Sequence, residues 1–315
     1  MKIQKSYSTI DVHVAGEAFR IVKNHPLISY RSLEDLYKQF PQAFMEEINL
    51  LLNEPRGFAG LNGCLIVPPI QAEADAAVLF FNHQGTLPIH YGGIVAVITA
   101  LLESGQLKAK SSNQYQLETL NGIIPVTAVI EQDEVVSVKI ESVPCRVLQT
   151  GLRVPGLYLD FSLVQADQLY AVFKKKDTSV EMQMEALSEL KRWGKTVFQH
   201  LDLKLGVKGV IILDDTALED YRTLSLSYRD DGFIVRSPGF GQTAAVYTYL
   251  ISNGAIQPDQ PFANESIFGS RLQVQVAGSY EGEYRFSFTC RGFITGMQTF
   301  LLDPTDPLAT GFLLK

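Results

Sequence analysis

Sliding the chain against itself by 149 residues brings Gly92, Ala96, Val97, Thr99, Leu101 and Gly105 onto Gly241, Ala245, Val246, Thr248, Leu250 and Gly254, six identities within 14 positions. Tyr91 falls opposite Phe240, so an aromatic residue introduces both segments. Such self-similarity predicts two lobes with one plan, each built on a helix whose first turn is glycine-rich and lets backbone approach a ligand closely. Gly105 and Gly254 then stand where each helix ends, since glycine enters the left-handed conformation without a Cβ clash. If both helix starts open onto one cleft, their unsatisfied N–H groups make a site for an anion such as a carboxylate. Two ordinary buried helices would leave the same trace, so the repeat constrains the fold more tightly than the site.

With 315 residues the chain can bury a core in each lobe. Runs rich in β-branched and aromatic residues predict strands over Ser8–Val22, Gly63–Val67, Ala76–Phe81, Val135–Ile140, Val207–Leu213, Leu272–Val276 and Arg285–Phe288. Ser32, Leu33, Glu34 and Asp35 read as a capped helix start running to Leu52, and apolar spacing predicts a further helix over Val180–Leu201. The expected fold class is α/β (α+β): two pseudo-symmetric lobes, each a barrel-like sheet around a central helix. The lobe boundaries are expected at 1–127 plus 297–315, and at 128–296.

Composition removes several function classes. No apolar run reaches the roughly 18–20 residues needed to cross a bilayer, and the start of the chain lacks the layout of a secretory signal, so a cytoplasmic protein is expected. Net charge is −7 with scattered basic residues, which gives no footprint for nucleic acid. Cys64, Cys145 and Cys290 lie far apart and read as buried apolar residues rather than as a disulfide framework or zinc site. Asp214 and Asp215 have no His or Glu at ligand spacing, and Gly239, Phe240 and Gly241 fall short of a dinucleotide-binding GxGxxG loop. Neither a metal nor another cofactor is expected. Asp11, His13 and Glu17, placed on one face by strand alternation, read as a structural polar cluster.

The motifs then resemble the proline racemase family, which includes 4-hydroxyproline epimerases and trans-3-hydroxyproline dehydratases and shares its fold with diaminopimelate epimerase. The likeness is carried by TIDVHVAGEAFRIV from Thr9, EPRGFAGLNGCLIVPP from Glu54, FFNHQG from Phe80, ITALLESG from Ile98, RSP from Arg236, ESIFGS from Glu265, RGFITG from Arg291 and LLDPTDPLATGF near the C-terminus. In that family two cysteines act as base and acid on opposite faces of the substrate Cα, within Met-Cys-Gly-His-Gly and Asp-Arg-Ser-Pro-Cys-Gly-Thr-Gly. The resemblance puts His90 at the first cysteine and Gly239 at the second, and these two positions are also 149 residues apart. It further puts Val235 at the acidic residue that meets the substrate amine, and Gly92 at the motif histidine.

These departures imply chemistry with one base. His90 is the expected catalytic base, with Tyr91, Gly92, Val235, Gly239, Phe240 and Gly241 as substrate-binding residues and the N–H groups of Tyr91, Gly92, Phe240 and Gly241 as oxyanion donors. Tyr91 could instead be a wall of the pocket. A single base cannot return a proton with inversion, so racemisation is not expected. The expected enzyme is a cofactor-independent lyase, isomerase or cyclase acting on a small proline- or pyrroline-like molecule in an inter-lobe cleft, in a specialised role such as secondary metabolism. Without partners for an ammonium, zwitterionic proline is expected to bind poorly. A homodimer is compatible with this reading, and the competing one is a non-catalytic ligand-binding protein of the same fold.

Overall fold

Ala15 (φ 48°) and Gly16 (φ 85°) turn the first strand-forming run back on itself. Where one strand is expected over Ser8–Val22, Lys5–Val14 (β1) and Glu17–Val22 (β2) therefore form an antiparallel hairpin in which Val14 faces Glu17. Positive φ at both turn residues suits the right-handed twist of paired strands. The structure is a computed structural model describing residues 5–24 and 29–314, and the chain divides into two units, Met1–Ile140 with Cys290–Lys315, and Glu141–Thr289.

The first unit continues with α1 (Leu33–Leu52), β3 (Asn62–Val67), β4 (Ala76–Asn82), β5 (Gly85–Leu87), α2 (Tyr91–Glu103), β6 (Gln114–Thr119), β7 (Gly122–Glu131) and β8 (Glu134–Glu141). The second comprises β9 (Arg146–Val154), β10 (Leu159–Gln165), β11 (Leu169–Lys174), α3 (Leu187–His200), β12 (Gly209–Asp214), β13 (Arg222–Arg229), β14 (Ile234–Val235), α4 (Phe240–Ser252), β15 (Phe262–Ser266), β16 (Arg271–Tyr280) and β17 (Glu283–Cys290). The chain then returns to the first unit as β18 (Gly292–Leu302), antiparallel to β1.

The two units share one wiring. Hairpin β1–β2 runs parallel to β3, which is antiparallel to β4, and β4 pairs with β5 and lies parallel to β6. Hairpin β10–β11 likewise runs parallel to β12, which is antiparallel to β13, and β13 pairs with β14 and lies parallel to β15. Helices α2 and α4 occupy corresponding places and start and end 149 residues apart, as the repeat requires. Gly105 (φ 70°) and Gly254 (φ 74°) follow them in the left-handed conformation expected of helix stops.

Burial explains why the repeat is clearest in these helices. Every residue of α2 from Tyr91 to Leu101 is buried, against β1, β2, β3 and β18. A helix apolar on all sides must be covered on all sides. The amphipathic α1 covers the other face of the same sheet, where Leu65 and Phe81 join Leu36, Phe40 and Phe44. Successive strand residues point to opposite faces, so Cys64 and Phe80 turn inward to α2 while Leu65 and Phe81 turn to α1. Strands buried on both faces read as unbroken apolar runs, which is how β3 and β4 stand in the sequence.

Helix α3 starts later than the expected Val180. Val180 and Met182 enter the core from an extended segment while Glu181 and Gln183 face solvent, a period of two rather than 3.6. Beneath α1, Arg20 is 4% exposed; its guanidinium makes a forked contact with Asp11 (2.9 and 2.7 Å), donates to the carbonyls of Leu51 (2.5 Å) and Arg56 (2.7 Å), and lies 4.2 Å from the Phe300 ring centroid.

Candidate functional site

The hairpin turn decides which polar side chains meet. Because Val14 is opposite Glu17, Glu17 shares its face of the sheet with Val12, Val14 and Phe19, the face that covers α2. Asp11 and His13 project on the other face: Asp11 pairs with Arg20, and His13 stacks on Phe293 at 5.1 Å. The polar cluster expected of Asp11, His13 and Glu17 does not form, since the two turn residues shift the alternation that a single strand would have kept.

Glu17 instead meets His90. The imidazole Nε2 lies 3.3 Å from Glu17 Oε1, which also accepts from Asn62 Nδ2 at 3.1 Å. Asn62 opens β3 directly beside Phe19, so backbone register places its amide at this carboxylate. His90 is the N-cap of α2 (φ −146°, ψ 106°), and its Nδ1 accepts the N–H of Gly93 at 3.3 Å. An acceptor nitrogen carries no proton, so in this arrangement the neutral ring is protonated at Nε2 and basic at Nδ1. Protonation of Nδ1 would end the cap hydrogen bond. The imidazole and the Phe19 ring stand nearly perpendicular with centroids 5.0 Å apart, and the His90 side chain is only 20% exposed.

Behind the imidazole the packing is tight. A Cβ at Gly93 would lie 2.7 Å from the Phe80 ring, and Cys64 Sγ is 3.4 Å from the same point. Burial, and then the charge of Glu17, push the Cys64 thiol upward, so the cysteine next to the site stays protonated at neutral pH. Desolvation pushes both Cys145 and Cys290 up to about 12; Cys145 is buried as expected, whereas Cys290 is only partly so. Tyr91 is 3% exposed and contributes an almost fully enclosed side chain. The N–H of Gly92 belongs to a first helical turn, where no intrahelical acceptor exists.

At the corresponding place in the second unit, Gly239 caps α4 with φ 69° and no side-chain cap bond. Its N–H donates to Ser237 Oγ at 3.1 Å, and a Cβ there would fall 2.0 Å from Gln242 Oε1. Gln242 thus fills the space that any side chain at 239 would need. Phe240 is buried with its ring 5.1 Å from Phe288, and Val235 is 7% exposed. A Cβ at Gly241 would lie 1.8 Å from Asp167 Oδ1, so a carboxylate of the chain itself rests against the first turn of α4. Asp167 also accepts from Tyr170 O–H and from the Gln168 N–H, both at 3.0 Å.

Asp214 caps a turn by accepting the Thr216 N–H at 3.0 Å, and Asp215 lies 3.7 Å from Lys174 Nζ. Among the described residues, no group of three or more His, Cys, Asp or Glu is placed to hold a metal ion, and no helix is long and apolar enough to cross a membrane.

The sequence matches the family described as proline racemase over residues 9–313. The chain belongs to the proline racemase family. A trans-3-hydroxy-L-proline dehydratase of Bacillus cereus is 31% identical over the whole of both chains. A 4-hydroxyproline 2-epimerase of Shewanella loihica is 27% identical, covering 98% of this chain and 99% of that one. Among solved structures, a hydroxyproline epimerase from Agrobacterium vitis with bound trans-4-hydroxy-L-proline superposes with a TM-score of 0.84 at 24% identity, covering 100% of this chain and 96% of that one. The fold is therefore that of the proline racemases, and the named relatives are enzymes of dehydratase and epimerase type.

Sequence reasoning placed His90 at the start of α2 but missed Glu17, Asn62 and Gly93 around it. Their signal was the Ala15–Gly16 turn, which reverses strand parity between Asp11 and Glu17. Asp167 and Gln242 left no such trace, because their proximity to Gly241 and Gly239 depends on how β10 and β11 pack on α4 and on side-chain direction.

Proposed function

We propose that this chain is a non-racemising enzyme of the proline racemase fold, in which His90 removes the proton α to a carbonyl or imine of a small proline- or pyrroline-like substrate. The carbanion then collapses by elimination; double-bond isomerisation and ring closure are the other outcomes open to the same intermediate. The observation that carries this reading is the unprotonated Nδ1 of His90 at the first turn of α2, beside the Gly92 N–H, which can take up charge developing on a substrate oxygen.

Elimination is favoured by the dehydratase relatives and by stereochemistry, for which trans-3-hydroxy-L-proline, weakly held because Val235 and Gly92 offer its ammonium no partner, serves as a probe at high concentration. In trans-3-hydroxy-L-proline the ring hydroxyl lies opposite the carboxylate, hence on the same ring face as the Cα hydrogen. One imidazole can take that hydrogen; the C–H electron pair becomes the Cα–Cβ double bond, the Cβ–O bond breaks, and the same proton leaves with the hydroxyl as water. Racemisation needs a second group on the opposite face, and the family positions for the two cysteines read His90 and Gly239. The three cysteines of the chain have thiols held protonated by burial, which supports a mechanism without a thiolate. A pyrroline-bearing intermediate of secondary metabolism fits the same chemistry.

The test is incubation with trans-3-hydroxy-L-proline, trans-4-hydroxy-L-proline and L-proline, followed by proton NMR and chiral chromatography. Formation of a pyrroline carboxylate from the first without inversion of the others supports the proposal; D-proline formation overturns it. The competing reading is a non-catalytic ligand-binding protein, which the bond from Gly93 to Nδ1 favours by giving His90 a structural task. Under that reading calorimetry detects binding, and no probe is turned over.

A further inference from the structure

We infer that Glu17 is a positioning residue for His90, so that the basic group is a carboxylate–imidazole pair working through Nδ1. The inference rests on the proposed function above for its catalytic meaning, but its geometry stands alone. Two contacts address the two ring nitrogens differently: Gly93 donates to Nδ1, and Glu17 faces Nε2, both at 3.3 Å. A ring bound in this way has one tautomer, and its single lone pair, on Nδ1, is held by the Gly93 N–H and takes up a proton only when that cap bond opens. Glu17 is fixed in turn, since Asn62 donates to its Oε1 at 3.1 Å and the side chain is 15% exposed. The Phe19 ring, nearly perpendicular to the imidazole, limits rotation that would exchange the nitrogens.

The chemical consequence follows from charge. When Nδ1 accepts the substrate proton, the ring becomes a cation, and a carboxylate on Nε2–H stabilises that cation at low exposure, where screening by water is weak. Glu17 transfers no proton and touches no substrate. Its contribution should therefore fall on kcat, with KM changed little.

Two measurements test this, one of them independent of turnover. In nitrogen-15 spectra of the wild-type protein at a pH where imidazole is neutral, with His90 assigned by its disappearance in His90→Asn, the ring proton is expected on Nε2 and slow to exchange with water. Glu17→Ala should make that proton exchange rapidly while leaving the far-UV circular dichroism unchanged. A proton resident on Nδ1 in the wild type, or an Nε2–H signal indifferent to Glu17→Ala, overturns the inference. With trans-3-hydroxy-L-proline as probe, Glu17→Ala should lower kcat about 10- to 100-fold, by analogy with the loss of carboxylate partners from metal-ligating histidines. Glu17→Gln, which keeps an acceptor but not the charge, should lie between Glu17→Ala and wild type. An unchanged kcat in Glu17→Ala overturns the inference. Absence of turnover by the wild type would instead defeat the proposed function, leaving the spectra to decide on Glu17.

Discussion

Gly93 donates its backbone N–H to Nδ1 of His90 at 3.3 Å, so the nitrogen that caps α2 is the same one that the proposed function uses as the base. The two tasks can be separated. Asn is a good N-cap but not a base at neutral pH, whereas Ala is neither. His90→Ala is expected to lose about 0.5–2 kcal/mol of stability in urea unfolding, the usual cost of a lost cap. His90→Asn should recover most of that and remain inactive. Activity retained by His90→Asn would show that the imidazole only caps.

Restoring both family cysteines should not restore racemisation. A residue other than glycine at 239 must adopt φ 69° and displace the Gln242 carboxamide, whose Oε1 lies 2.0 Å from where a Cβ would sit. With ψ at 140° this lies outside the left-handed helical region, and the backbone cost alone is about 1–3 kcal/mol. The double variant His90→Cys with Gly239→Cys is expected to unfold at lower denaturant than wild type and to give no D-proline from L-proline. Efficient inversion by that variant would mean that the space above Gly239 is readily vacated.

The thiols predict a pH dependence with a defined sign. Burial raises Cys145 and Cys290 from 9.0 to about 12, so the folded chain holds protons that the unfolded chain releases. Their contribution is complete below about pH 9 and declines as pH rises toward 12, so stability should fall across that window. At pH 8, Ellman's reagent should react with the buried Cys64 and Cys145 only after denaturation, and activity should survive the reagent.

The pairing of Asp11 with Arg20 is structural, and its loss should be read in stability. With Arg20 side chain 5% and Asp11 side chain 16% exposed, Asp11→Ala leaves a buried guanidinium without its carboxylate, at a cost of roughly 3–5 kcal/mol. Replacing both, with Arg20→Met, should return part of that loss. Equal losses in the single and double variants would show that the carbonyls of Leu51 and Arg56 already satisfy the guanidinium.

Much of the fold was legible because local chemistry and burial agree. Ser32 caps α1 by accepting the Asp35 N–H, and the two buried central helices preserve the repeat because every face is constrained. What the sequence hid was parity and approach. Reading Ser8–Val22 as one strand put Glu17 on the wrong face, and although Gly93 and Gly292 stand within motifs, only the packing shows why neither can bear a side chain: a Cβ at Gly292 would lie 2.7 Å from Thr99 Oγ1. The place of His90 at the start of α2 was legible, whereas Glu17 and Asn62 beside it come from β2 and β3, whose register only the folded hairpin sets.

The central claim is that one imidazole removes the Cα proton and nothing returns it with inversion. The most direct measurement follows trans-3-hydroxy-L-proline and L-proline in D2O by NMR and chiral chromatography, for wild type and His90→Asn side by side. The account predicts water loss from the hydroxylated probe, slowed about 100- to 10,000-fold in the variant as expected for a positioned base, and no D-proline from either protein. Formation of D-proline, equal rates in the two proteins, or neither elimination nor Cα deuteration by the wild type would contradict it.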